Sequence, residues 1–131
     1  MFKKIIALLT LFIVLSSCTS KTEPSSANIS GLWADVNSSN FKNCYVIIAQ
    51  DGNKIVMTHY LEFKGDKMVE YGIGEIKETT VTYDAVVTKA IPGWAKKGKH
   101  HLTLNKQEDT LRGYYEDEKG NNGPIVFAKL K

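Results

Sequence analysis

Three histidines, two cysteines and a scatter of carboxylates hold most of the reactive chemistry open to this 131-residue chain. His59 lies in the alternating run Ile55, Met57, His59, Leu61, Phe63. In an extended strand it therefore shares one face with apolar neighbours, while Thr58, Tyr60 and Glu62 take the other. A histidine on such a face is ordinarily a hydrogen-bonded core residue; where the face lines a cavity, it orients a ligand. His100 and His101 are adjacent, so on a strand their rings point to opposite faces and do not chelate one ion. His59 is the only other histidine and there is no HExxH or CxxC spacing, so no metal site is expected. A nucleophile elbow, a P-loop and a dinucleotide fingerprint are all missing. Carboxylates such as Glu70, Glu75, Glu116 and Glu118 fall where strand surfaces and turns ordinarily carry charge. No catalytic residue, no cofactor and no enzymatic activity are expected.

These side chains meet only if strands bring them together. Gly31–Val36 reads as a first strand. Phe41–Gln50, rich in Val, Ile, Tyr and Phe, ends at the turn signal Asp51-Gly52-Asn53. Ile55–Phe63 stops at Lys64-Gly65-Asp66-Lys67, and Met68–Ile76 follows with Gly72 and Gly74 on one face, a mark of bending or of close backbone approach. Thr79–Lys89 places Val81, Tyr83, Ala85 and Val87 together. His100–Asn105, Thr110–Asp117 and Pro124–Leu130 complete eight strands joined mostly by short turns. No stretch has helical periodicity. The expectation is an all-β domain over 29–131, a small antiparallel eight-stranded up-and-down barrel, with an open β-sandwich as the alternative. In a barrel, His59, Tyr83 and Tyr115 are candidate ligand-binding residues, although tyrosines beside carboxylates more often form cross-strand surface pairs.

Ala90–Lys99 (AIPGWAKKGK) is the least strand-like segment. It sets Trp94 beside Lys96, Lys97 and Lys99, and loops on rigid scaffolds are where binding residues concentrate. Trp94 is therefore a fourth candidate, either as a lid over the barrel mouth or as an interaction surface. The plainer reading is that it folds back to plug one barrel end while the lysines stay in water.

The N-terminus has a separate meaning. Met1-Phe2-Lys3-Lys4, the apolar run Ile5–Leu15 and the small residues Ser16-Ser17 lay out a signal peptide over 1–17. The run is shorter than the ~20 residues a bilayer span needs. Leu15-Ser16-Ser17-Cys18 resembles the lipobox of bacterial lipoproteins, which implies that Cys18 becomes the first mature residue, is acylated with palmitate-type chains, and anchors the protein to a membrane of the cell envelope. Thr19 and Ser20 lack the Asp that resembles an inner-membrane retention signal, so in a two-membrane cell the outer membrane is favoured. Residues 18–28 then form the lipidated cysteine and a polar tether. Losing Lys3 and Lys4 leaves 15 cationic against 14 acidic side chains, so the net charge falls from +3 to +1 and no nucleic-acid footprint remains. Cys44 is left without an intramolecular partner, as a small buried hydrophobe.

Gly31-Leu32-Trp33 gives the domain a G-x-W on its first strand, which resembles the opening motif of the calycin superfamily: lipocalins, fatty-acid-binding proteins and avidins. The resemblance implies that Gly31 and Trp33 are structural, with Trp33 closing the barrel floor. It also implies that a late basic residue, Arg112 or Lys129, packs across the indole. Strands shorter than in typical lipocalins, and the missing C-terminal helix, depart from that family. The function expected is a membrane-anchored, lipocalin-like module binding a small apolar or amphipathic ligand. The alternative is a protein-interaction module or inhibitor, partnered by an envelope protein and acting through its surface and the Trp94 loop, with a filled interior.

Overall fold

Alternation of apolar and polar side chains along eight successive segments turns into eight strands in the computed structural model, which describes residues 26–37 and 41–131. The signal segment, Cys18 and most of the tether lie outside the described residues. The strands are β1 (Gly31–Asp35), β2 (Phe41–Asp51), β3 (Lys54–Phe63), β4 (Asp66–Lys77), β5 (Thr80–Val87), β6 (Lys97–Leu104), β7 (Thr110–Asp117) and β8 (Asn122–Lys129). No described residue is helical.

Each strand pairs antiparallel with the next, and β1 pairs with β8 through Trp33↔Lys129, Ala34↔Ala128 and Asp35↔Phe127. That last ladder makes the sheet a closed up-and-down barrel and rules out the open sandwich. Closure leaves no unpaired strand edge. Every strand finds both partners and its share of the core within 26–131, so this segment is a self-contained folding unit.

Most strand ends differ from the sequence expectation by one or two residues, and one differs by three. β6 begins at Lys97, not His100, so the loop after β5 is shorter than Ala90–Lys99 suggests. The run KKGK conceals strand alternation: Lys97 and Lys99 face outward, Gly98 and His100 inward. Lys99 lies opposite Asp84 on β5, with Nζ 3.6 Å from Oδ1.

The two barrel ends are built differently. At the end carrying the β2–β3, β4–β5 and β6–β7 turns, Ile29, Trp33, Ile76, Val81 and Leu111 pack in one large apolar cluster. The Trp33 indole Nε1 donates to the Ile29 carbonyl at 3.0 Å. Lys129 Nζ sits 5.4 Å from the Trp33 ring centroid, so Lys129 is the cation across the indole. Arg112, the other candidate, is exposed on the outer face of β7: its parity on that strand is opposite to that of buried Leu111. The chain reaches β1 at this same closed end. Ser26 Oγ donates to the Ile76 carbonyl and the Ala27 amide to the Glu78 carbonyl, while the Gln50 side chain ties down Ala27 and Ile29.

At the opposite end a smaller cluster forms around Cys44, Leu61 and Met68, with Phe41, Phe63, Ile91 and Trp94 packed against it. A β-bulge between Lys42 and Tyr45, with Asn43 at φ 51°, bends the start of β2 there. Cys44 is free and buried, and burial pushes its thiol pKa up, which suits a packing role.

Candidate ligand cavity

Inward parity on neighbouring strands stacks polar side chains into a ring just above the apolar floor. Asp35 follows Trp33 by two residues on β1 and so also turns inward. His59 on β3 is the direct cross-strand partner of Glu70 on β4. His100 on β6 lies between its direct partners Tyr83 on β5 and Tyr115 on β7. At Gly72 an added Cβ would lie 2.6 Å from Tyr83 Cδ2, so the missing side chain on β4 is the space in which the Tyr83 ring lies.

His59 Nδ1 is 2.9 Å from Glu70 Oε1, and both side chains are more than nine-tenths buried. On its other side His59 Nε2 approaches Asp35 Oδ2 at 3.5 Å, an ion-pair contact too poorly aligned for a hydrogen bond. Burial alone would lower the imidazole pKa, but the flanking Asp35 and Glu70 carboxylates more than offset it and the net shift is upward. Glu70 moves the opposite way: burial would raise its pKa, and the hydrogen bond and charge of His59 hold it below the usual carboxylate value. The protonated form of His59 is thus favoured between two acidic side chains, and in either form the cluster is net acidic.

His100 behaves differently. Its Nδ1 is 2.5 Å from the Tyr83 hydroxyl, and burial drops its pKa to about 4, so it is neutral at pH 7. Burial, then the negative charges of Glu70 and Asp35, push the Tyr83 phenol well above its ordinary pKa, which keeps it a hydroxyl. Neutral imidazole and phenol thus form a hydrogen-bonded pair beside the charged one.

Above the ring lies a cavity of about 400 Å³, within the range of small-molecule sites. Its lining is mixed: Asp35, His59, Glu70, His100 and Tyr115 bring polar groups, and Phe41, Leu61, Val87 and Trp94 apolar ones. Asn37, Lys97, Asp117, Asn121 and Asn122 also line it, all at the open end. The interior is therefore not filled by bulky side chains. Trp94 folds back onto Phe41 and Phe63, with ring centroids 6.3 and 5.2 Å away, and still lines the cavity as part of its lid. Lys96 and Lys99 stay exposed.

Of the four candidate binding residues, His59, Trp94 and Tyr115 line the cavity, whereas Tyr83 stands behind His100 as its hydrogen-bond partner. Asp35, Glu70 and His100 belong to the ring without having been singled out for it. The signal was parity: Glu70 alternates with Met68 and Gly72, and His100 with Leu102. Glu70 pairs with His59 Nδ1, while Nε2 faces Asp35 without a hydrogen-bond partner. No Ser, Thr or Cys among the described residues lines the cavity, and no group of three or more His, Cys, Asp or Glu among them is placed to hold a metal ion. Compared with family models, curated proteins and solved structures, the chain matches none.

Proposed function

We propose that this chain is a membrane-anchored lipoprotein of the cell envelope whose lipocalin-like barrel binds a small amphipathic molecule, without catalysis. The anchor rests on the lipobox-like Leu15-Ser16-Ser17-Cys18, and in a two-membrane cell the residues after Cys18 favour the outer membrane as the address. The observation that carries the binding role is the cavity itself, whose lining combines apolar Phe41, Leu61, Val87 and Trp94 with polar Asp35, His59, Glu70, His100 and Tyr115. A few fixed polar groups in an otherwise apolar cleft orient a ligand and set its specificity. Because the ring is net acidic, it favours a neutral or cationic hydrogen-bond donor and repels a carboxylate or sulfonate. A cavity of this volume supports ligand binding over an interaction module with a filled interior.

The test uses residues 19–131 and N-phenyl-1-naphthylamine, an uncharged aromatic probe with one N–H donor. Its fluorescence is expected to rise on binding. Val87→Phe, which fills the cavity, should weaken binding at least ~10-fold, about 1.4 kcal/mol, while Ile47→Lys on the outer wall should not. The anionic analogue 8-anilinonaphthalene-1-sulfonate should bind more weakly than the neutral probe. No binding of either dye, or binding indifferent to Val87→Phe, would sink the proposal.

A further inference from the structure

Outward-facing positions on a barrel in water normally carry polar side chains, and those of β5–β7 mostly do, with Asp84, Lys99, Arg112 and Glu116 among them and Tyr114 an exception. The outer face of β1–β4 does not. Ile47, Val56 and Ile73 are 60%, 53% and 61% exposed, and Leu32, Tyr45 and Tyr71 more than 40%. The register makes them contiguous. One row runs Leu32–Ile47–Thr58–Tyr71 across all four strands, and the next runs Ala49–Val56–Ile73. No charge interrupts either row. Exposed apolar residues scattered singly need no explanation, but a joined block of this kind marks a surface that is covered.

We infer that this face joins two copies of the chain, outer wall to outer wall, about a twofold axis. Three observations select that occupant. The undescribed mature segment 19–25, TSKTEPS, has no aliphatic or aromatic side chain with which to fill the face. The rim carries both signs at both ends: Lys54 opposite Glu75 at one, Glu62 opposite Lys67 at the other. A face seated on anionic lipid would be flanked by cations alone, whereas a mixed rim complements its own copy, as an isologous interface requires. The area also fits a weak association. A convex barrel wall presents two or three neighbouring strands to a copy at once; three strands ~4.8 Å apart over nine residues at ~3.4 Å rise give about 450 Å² per copy, so a pair buries about 900 Å², in the range of weak, transient contacts. Two twisted sheets pack face to face with strands about 30° apart. The cavity opens at a barrel end, so it stays accessible in the dimer.

Sedimentation equilibrium on residues 19–131, from about 10 μM to about 1 mM, reads the outcome. An interface of this size predicts reversible dimers half-formed on the order of 100 μM. Ile47→Lys and, independently, Ile73→Lys should weaken dimerisation at least ~10-fold with the melting temperature unchanged, while Thr103→Lys on the opposite wall should leave it intact. A monomer throughout that range overturns the proposal, as does a dimer that survives both lysine variants. A monomer that binds neutral phosphatidylcholine vesicles through this face would overturn it in favour of a bilayer.

Discussion

At the closed end the inward positions carry Trp33, Ile76, Val81 and Leu111, all at 0% exposure. Nearer the mouth, inward positions on β1, β3, β4 and β6 carry Asp35, His59, Glu70 and His100 around open volume. Both halves obey one alternation, so period 2 alone does not distinguish floor from cavity; the residue types do. The floor gains about 25 cal/mol for each Å² of apolar surface removed from water. The polar ring forgoes much of that gain and must offset the desolvation of two carboxylates and an imidazolium with its own pairing. Apolar packing is concentrated at one end of this barrel, and polar side chains around open volume at the other.

Removing the floor should therefore cost most. Trp33→Ala deletes a fully buried ring, its hydrogen bond to Ile29 and its contact with Lys129, and should destabilise residues 19–131 by about 3–5 kcal/mol in urea unfolding. A loss below about 1 kcal/mol would mean the floor is not the stabilising half.

The ring should show itself in pH dependence. His100 has a folded-state pKa of about 4 against an unfolded value of 6.5, so the unfolded chain takes up the proton first as pH falls. Stability should drop between pH 6.5 and 4 by on the order of 3 kcal/mol, and His100→Gln should flatten that window. The Glu70 contribution runs on below it: its lowered pKa means stabilisation that is present above about 4.5 and lost as pH falls through the folded value. His59, with its raised pKa, contributes stability that is full below 6.5 and lost as pH rises through the folded value. A pH profile unchanged by His100→Gln would contradict its burial as a neutral base.

The smallest effect on stability belongs to the lid. Trp94 is half-buried and packs on two phenylalanines, so Trp94→Ala should cost only about 1 kcal/mol, read by the same urea unfolding. A loss as large as that of Trp33→Ala would erase the division between the two ends.

Much of the fold was legible because the strand signals are local. Ile55, Met57, His59 and Leu61 declare an inward face, and the Asp51-Gly52-Asn53 and Lys64-Gly65 turns fix where it stops. The choice between barrel and sandwich was not local, since it depends on Trp33 meeting Lys129 from the two ends of the domain. The same limit hid half the ring. Glu70 reads as a surface carboxylate until register sets it against His59, and Asp35 gains meaning only when closure carries β1 round to the polar side. The choice between Arg112 and Lys129 was likewise one of parity in a strand whose partner the sequence does not reveal.

The route by which the chain enters the barrel sets a direction for traffic. Ser26 and Ala27 are fastened to the β4–β5 end, beneath the floor, while the cavity opens among the loops at the far end. Strands of about eight residues, rising ~3.3 Å each and tilted ~40°, separate the two by about 20 Å. A chain held through Cys18 would be grasped from below, its doorway turned toward the aqueous compartment. A ligand of the kind proposed would then reach the mouth through water and not sideways out of the lipid, which favours molecules soluble enough to travel alone.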